Sequence, residues 1–170
     1  MKSINREIAL YIHIPFCKAK CHYCDFNSYV GAEETVSSYF NALYKELEIY
    51  SSKLKDYSIK SIFIGGGTPS YVHVEYIKGL LDRCYQCFSI LKGAEISIET
   101  NPGTLSLEKL VSYKAVGINR LSMGVQAWQN RLLSELGRIH TIEEFVENFN
   151  QAKRAGFGNI NADLIFGLPH

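Results

Sequence analysis

Five short apolar runs rich in β-branched residues recur along the chain: "IALYIHI" (8–14), "KSIFI" (60–64), "AEISIE" (94–99), "INRLSMG" (118–124) and "NINADLIFG" (159–167). Each is bounded by Gly, Pro or polar turn residues, as buried β-strands are. Between them the apolar positions step by three and four. Val36, Phe40, Leu43, Leu47, Tyr50 and Leu54 mark one face of a long helix. Ile77, Leu81, Cys84 and Phe88 mark a second, and Ile142, Phe145, Phe149 and Ala152 a third. The third is entered through "TIEE", where Thr141 and Glu144 have the spacing of a capping box. Gly93, Gly117 and Gly156 stand where helices hand over to strands, and glycine tolerates the left-handed turn that closes a helix.

The order β-α-β-α-β-α-β-α-β predicts an α/β fold, a parallel sheet with helical crossovers, either barrel or doubly wound. Consecutive βα units with short connections favour neighbouring strands. The expectation is therefore a strand order of one to five, curved as a partial, open TIM-like (βα) barrel. No linker or low-complexity stretch divides the 170 residues. The sequence stops at "DLIFGLPH", just after the fifth run, where a helix should follow. Residues 1–170 are expected to be the N-terminal part of a core domain whose remaining barrel and C-terminal domain lie outside this chain.

Polar signals collect behind the strands. "PFCKAKCHYC" (15–24) follows the first, "GGGTPS" (65–70) the second, "ETNPGT" (99–104) the third and "GVQAW" (124–128) the fourth; Asp163 lies within the fifth. Parallel α/β folds bind ligands outside the carboxyl ends of their strands. These turns predict one site, with the cysteines on its rim.

Charge and composition narrow the reading. Eighteen basic and seventeen acidic residues nearly cancel, which leaves no electrostatic footprint for nucleic acid. The N-terminal apolar run is broken by His13 and leads to Pro15 rather than to a small-residue cleavage site, so no signal peptide is read. No run approaches the ~20 apolar residues of a transmembrane segment. An odd count of five cysteines without a secretion signal points to a reducing, cytoplasmic setting and to metal or redox use.

Cys17, Cys21 and Cys24 are the chemical centre of the sequence. Inert buried thiols fit poorly in a polar loop with Lys18, Lys20 and His22. Zinc would need a fourth ligand, which His13 or His22 could supply. An iron–sulfur cluster on three thiolates leaves one iron open for reaction. The zinc reading gives the other strand ends no role. "GGGTP" lacks the Gly-Lys-Ser/Thr of a phosphate loop, though its backbone could cradle an anion. Glu99 and Asp163 sit in apolar runs, where an unpaired charge is expensive and a polar ligand is the expected partner. Gln126 could be an ordinary polar turn residue. Cys84 and Cys87 form a CxxC, but they fall mid-helix on a stripe with Leu80, Leu81 and Phe88 and are expected in the core.

The C-x3-C-x2-C spacing at 17, 21 and 24 resembles the signature of the radical S-adenosylmethionine enzymes. "YIHIPFC", "GGGTPS", "IETNPGT", "RLSMGVQ" and "ADLIFGLP" resemble, in order and over nearly the whole chain, the branch that holds the oxygen-independent coproporphyrinogen III oxidases and their haem-chaperone relatives. The resemblance implies a [4Fe–4S] cluster on the three cysteines. It also implies S-adenosylmethionine on the fourth iron, cleaved by one electron to methionine and a 5′-deoxyadenosyl radical. It places Tyr11 near the nucleoside and Tyr23 by the adenine. Gly66, Gly67 and Thr68 would contact the methionine amino group, and Glu99 the methionine part and ribose. Gln126, Arg138 and Asp163 would contact the ribose and methionine carboxylate. One position departs: the oxidase branch carries a further cysteine two residues after the third, and this chain has Phe26. That favours the haem-chaperone branch over a coproporphyrinogen oxidoreductase. It implies haem or a porphyrin as ligand, with haem-receiving proteins and an electron donor as partners.

Overall fold

The computed structural model describes residues 6–168. In chain order it contains β1 (Arg6–Ile14), two short strands β2 (Phe16–Cys17) and β3 (Tyr29–Val30), α1 (Val36–Lys53), β4 (Tyr57–Gly66), α2 (Val74–Cys87) and β5 (Ser89–Thr100). Then come α3 (Leu107–Ala115), β6 (Arg120–Gln126), α4 (Asn130–Glu135), α5 (Ile142–Arg154) and β7 (Asn159–Leu164). The five long strands form one parallel sheet in the order β1-β4-β5-β6-β7, so the five expected strands pair as sequence neighbours. Among the described residues no strand lies on the far side of β1, as a doubly wound sheet requires. This is the open, partial (βα) barrel.

A period of two organises each strand. Ile12, Ile14, Ile62, Ile64, Ile96, Ile98, Leu121 and Met123 are buried, and they join one core with Phe40, Leu47, Leu80, Leu81, Leu110 and Tyr113 of the helices. The helices lie in a row, α1 on α2, α2 on α3 and α3 on α5. The alternate positions form the inner face of the barrel: Tyr11, His13, Phe63, Ser97, Glu99, Ser122, Asn161 and Asp163. The strands thus read less as continuous apolar runs than as an apolar face toward the helices and a polar face toward the lumen.

Local signals explain most boundaries. The capping box at Thr141 and Glu144 is complete, with Glu144 N–H donating to Thr141 Oγ1 (3.3 Å) and Thr141 N–H to Glu144 Oε2 (2.8 Å). Gly117 (φ 100°) and Gly156 (φ 89°) close α3 and α5 in the left-handed region. Gly93 does not close α2, which ends directly in extended Phe88. It lies inside β5, where the register jumps from Ile59↔Ile90 to Ser61↔Glu95. Cys84 and Cys87 sit in the last turn of α2 rather than at its middle. Cys84 is buried, and burial pushes its thiol up to about 12, so it is unreactive. Tyr50, in the last turn of α1, is exposed although its spacing put it on the core face.

Candidate cofactor site

The cysteine loop leaves β1 and is folded back by its own small ladder. Phe16 pairs with Tyr29 and Cys17 with Val30, and Tyr29 N–H donates to the Pro15 carbonyl (2.7 Å). Lys20 ties the interior of the loop, donating to the Phe26 carbonyl (2.6 Å) and to Ser28 Oγ (3.1 Å). His22 docks the loop on the end of α4. Its N–H reaches the Leu136 carbonyl (3.0 Å) and its ring Nδ1 donates to the Glu135 carbonyl (2.8 Å). Cys17 is buried, Cys21 and Cys24 are half-buried, and all three are free thiols.

His13 holds the other side. Its Nε2–H donates to the Asn27 carbonyl (2.8 Å), and Nδ1 accepts from the Tyr11 hydroxyl (3.0 Å). Both ring nitrogens are therefore engaged, which leaves none as a fourth zinc ligand. Among the described residues, no three His, Cys, Asp or Glu groups converge on a single ion. Three thiols distributed around a cavity wall suit a multinuclear cluster, in which each thiolate meets a different metal.

The glycine turn after β4 is shaped by what it must touch. At Gly66 (φ 120°) a Cβ would stand 2.8 Å from the His13 ring; at Gly67 it would stand 2.9 Å from both Cys17 Sγ and the Phe16 carbonyl oxygen. Only glycine lets this backbone lie against the cysteine loop. The contact is fixed by Gly67 N–H to the Ile14 carbonyl (2.9 Å) and Thr68 N–H to the Phe16 carbonyl (2.8 Å). Thr68 Oγ1 also donates to Cys17 Sγ (3.6 Å).

Two carboxylates face the lumen beyond this turn. Glu99 accepts from Gly66 N–H (2.9 Å). Burial pushes its carboxyl up, the Gly66 N–H opposes that, and the negative charge of Asp163 adds to it. Asp163 accepts from Ser122 Oγ (3.0 Å) and Asn161 Nδ2 (2.7 Å). Gln126 closes β6 with a left-handed backbone (φ 72°), and it is the one residue other than glycine with positive φ among the described residues. Such a conformation costs on the order of 1–3 kcal/mol and persists where surroundings enforce it; here Ile165 N–H bonds the Gln126 carbonyl (2.9 Å). Arg138 follows α4 through the left-handed Gly137 (φ 71°). Its guanidinium donates to Cys21 Sγ (3.6 Å), Tyr23 Oη (3.3 Å), the Asn101 side-chain oxygen and the Gly124 carbonyl.

Of the residues singled out from the sequence, Cys17, Cys21, Cys24, Tyr23, Gly66, Gly67, Thr68, Glu99, Gln126, Arg138 and Asp163 line one open cleft. Tyr11 does not. Its ring lies lower on the inner face, stacked on Phe63 (6.2 Å between centroids) and 58% exposed, because β1 is the sheet edge and its side chains there have no neighbour on one side. The cleft also contains Asn101, Ser122 and Lys20, which sequence reasoning missed. The alternation of β6 pointed to Ser122, two residues before Gly124. Asn101, followed by Pro102, reads as an ordinary turn residue.

An open parallel barrel with three thiols and a glycine cradle at the carboxyl ends of its strands defines a class of cluster-binding protein. The chain belongs to the radical SAM superfamily, whose sequence pattern matches residues 11–170. It is 44% identical over 163 residues to the "Heme chaperone HemW" of Bacillus subtilis (strain 168), covering 94% of this chain and 42% of that protein. It is 39% identical over 163 residues to the protein of the same name from Escherichia coli (strain K12), covering 95% and 43%. Its fold superposes on coproporphyrinogen III oxidase (HemN) from Escherichia coli, described as a radical SAM enzyme, with a TM-score of 0.91 and 34% identity over 97% of this chain and 38% of that one. The chain thus spans about two fifths of the length of these relatives. Family membership implies a [4Fe–4S] cluster and S-adenosylmethionine. The cleft fits the cluster: it offers three thiols on one wall, a glycine turn packed directly against Cys17, and hydrogen-bond donors aimed at two of the sulfurs. Among the described residues no helix is long and apolar enough to cross a membrane.

Proposed function

We propose that this chain is the N-terminal part of the core domain of a haem chaperone, a cytoplasmic protein that binds a [4Fe–4S] cluster and S-adenosylmethionine and handles haem. The remaining barrel and a C-terminal domain belong to the longer protein. Cys17, Cys21 and Cys24 hold the cluster. Bound there, the cluster supplies the one-electron chemistry that opens the sulfonium of S-adenosylmethionine. The backbone of Gly66, Gly67 and Thr68 meets the methionine amino group. Glu99, Gln126 and Asp163 accept or donate hydrogen bonds at the ribose and methionine part, and Arg138 offers its charge to the carboxylate. Tyr23, on the cleft wall beside Arg138, packs against the adenine. Tyr11, outside the cleft, is proposed for the nucleoside side only, through the inner face it shares with Glu99.

The observation that carries the chaperone reading is Phe26. Its ring is 65% exposed and lines the cleft, at the position where the oxidase branch has a thiol. An apolar ring there offers neither a proton nor a ligand, while the proposed contacts Gly66, Gly67, Thr68, Glu99, Gln126, Arg138 and Asp163 lie outside its loop. Haem or a porphyrin is the proposed ligand, with a haem-receiving protein and an electron donor as partners. The second reading, coproporphyrinogen oxidation, rests on the fold shared with coproporphyrinogen III oxidase. Anaerobic reconstitution of the full-length protein separates the two. The expected result is haem binding and no conversion of coproporphyrinogen III with reduced cluster and S-adenosylmethionine. Product well above that of a Cys17→Ser control would make the oxidase the better reading. Serine at any of Cys17, Cys21 or Cys24 is expected to abolish the cluster, and Cys84→Ala to leave it intact.

A further inference from the structure

Arg138 has five N–H groups, and four are committed within the protein. Nη1 donates to Cys21 Sγ (3.6 Å) and Tyr23 Oη (3.3 Å). Nη2 donates to the Asn101 side-chain oxygen and the Gly124 carbonyl. The fifth group, Nε–H, is buried without a partner. A guanidinium is a rigid planar fork, so fixing Nη2 on two acceptors also fixes where Nη1 points.

Asn101 is itself held in place. Its N–H donates to Ser70 Oγ (3.0 Å), and that hydroxyl meets Thr104 Oγ1 (2.6 Å). Ser70 is fully buried. The Lys109 ammonium, from the first turn of α3, donates to the carbonyls of Ser70 and Thr104. A chain of hydrogen bonds therefore runs from α3, through the turns after β4 and β5, to a sulfur of the cysteine loop. Nothing in this chain of bonds needs S-adenosylmethionine to complete it.

We propose that Arg138, aimed by Asn101, is a positioning residue that acts on the cluster itself: it holds Cys21 and raises the cluster's reduction potential. The proposal rests on the cluster reading of the site and adds a role to Arg138 besides contact with a substrate carboxylate. A cation that donates to a ligating sulfur withdraws electron density from it. That favours the reduced, more negative cluster over the oxidised one.

The test is a potentiometric titration of the full-length protein, reconstituted anaerobically and followed by electron paramagnetic resonance without S-adenosylmethionine. Arg138→Gln is expected to move the midpoint to a more negative potential. Asn101→Ala keeps the guanidinium but removes its aim, and is expected to move it less, in the same direction. Arg83→Gln, which removes a surface cation from α2, serves as the charge control and is expected to leave it unchanged. Wild-type potential in both site variants, or shifts no larger than the control's, overturns the proposal. If Arg138→Gln takes up no cluster, Asn101→Ala decides alone; loss of cluster in both, with unchanged circular dichroism, is the positioning effect at its limit and supports it. Failure of the unaltered protein to take up a cluster is a separate result, and it removes the cofactor reading together with the proposal.

Discussion

Adding one carbon at Gly67 would place it 2.9 Å from Cys17 Sγ and from the Phe16 carbonyl oxygen, and neither the buried thiol nor the backbone can retreat cheaply. Gly67→Ala is therefore expected to push the glycine turn off the cysteine loop. The measurement is iron and sulfide content after reconstitution of the full-length protein, with a clear loss expected. Gly158→Ala, whose added Cβ would meet nothing within 4 Å, is the matched control and should keep full content. His140 carries the second prediction at this scale. It is 3% exposed, and its ring makes at best a weak contact with the Val125 backbone, which only partly opposes the effect of burial. Burial, helped by the Arg138 charge, pushes its imidazole down to about 4, against ~6.5 in an unfolded chain. Between those two values the unfolded chain takes up a proton that the folded one refuses. The contribution of His140 is thus complete above about pH 6.5 and is lost as pH falls toward 4. Urea midpoints at pH 7.5 and 4.5 should draw closer together in His140→Gln; an unchanged gap would sink this assignment.

At the scale of elements, helix ends are where local sequence has direct energetic weight. Thr141 satisfies a backbone donor of α5, and Glu144 reciprocates. Thr141→Ala removes the first bond and leaves Glu144 with the second. The expected loss is about 1 kcal/mol of stability, read as a shift of the denaturant midpoint with unchanged slope. α5 packs on α3 and carries buried Phe145 and Ala152, so it will not melt alone. The loss should appear in the global transition. The cysteine loop is the contrasting element. It is irregular over most of its length, and its shape comes from outside: His22 on α4, His13 on Asn27, and Gly67 on Phe16. A loop held by so many unlike contacts is preformed before any cofactor arrives, which lowers the ordering cost of binding.

For the whole molecule, the open barrel leaves β7 as a sheet edge. Leu164 and Phe166 are exposed there, Phe166 almost completely (98%). Unpaired backbone groups beside exposed apolar side chains are a template for pairing with another chain. The 170-residue chain, made by itself, is expected to self-associate as its concentration rises. Light scattering after size exclusion should show this, and Leu164→Lys should reduce it. A single monomeric species across the whole concentration range would show that the edge is already protected.

The sequence by itself determined the five long strands, the main helices between them and their order; the short β2, β3 and α4 came only with the structure. Those properties are local or follow from chain order: β-branched runs make strands, a step of three or four makes a helix face, and consecutive βα units lay strands side by side. The three-cysteine spacing and the strand-end position of "GGGTPS", Glu99 and Asp163 are local in the same sense. Only the tertiary structure decided which residues meet. Arg138 and Cys21 lie 117 positions apart, and their contact depends on the sheet register, the left-handed turn at Gly137 and the grip of Asn101. The same holds for residues that the structure places apart from the cleft or commits elsewhere. Tyr11 has the right neighbours in sequence, but it stands on the edge strand and does not line the cleft that holds the other candidates. His13 and His22 sit at ligand spacing, yet His13 spends both nitrogens and His22 one on bonds that pin the loop. Spacing along a strand or helix is set by backbone geometry and can be read directly. Contacts between distant turns depend on the summed packing of every element between them, and no short stretch of sequence encodes that sum.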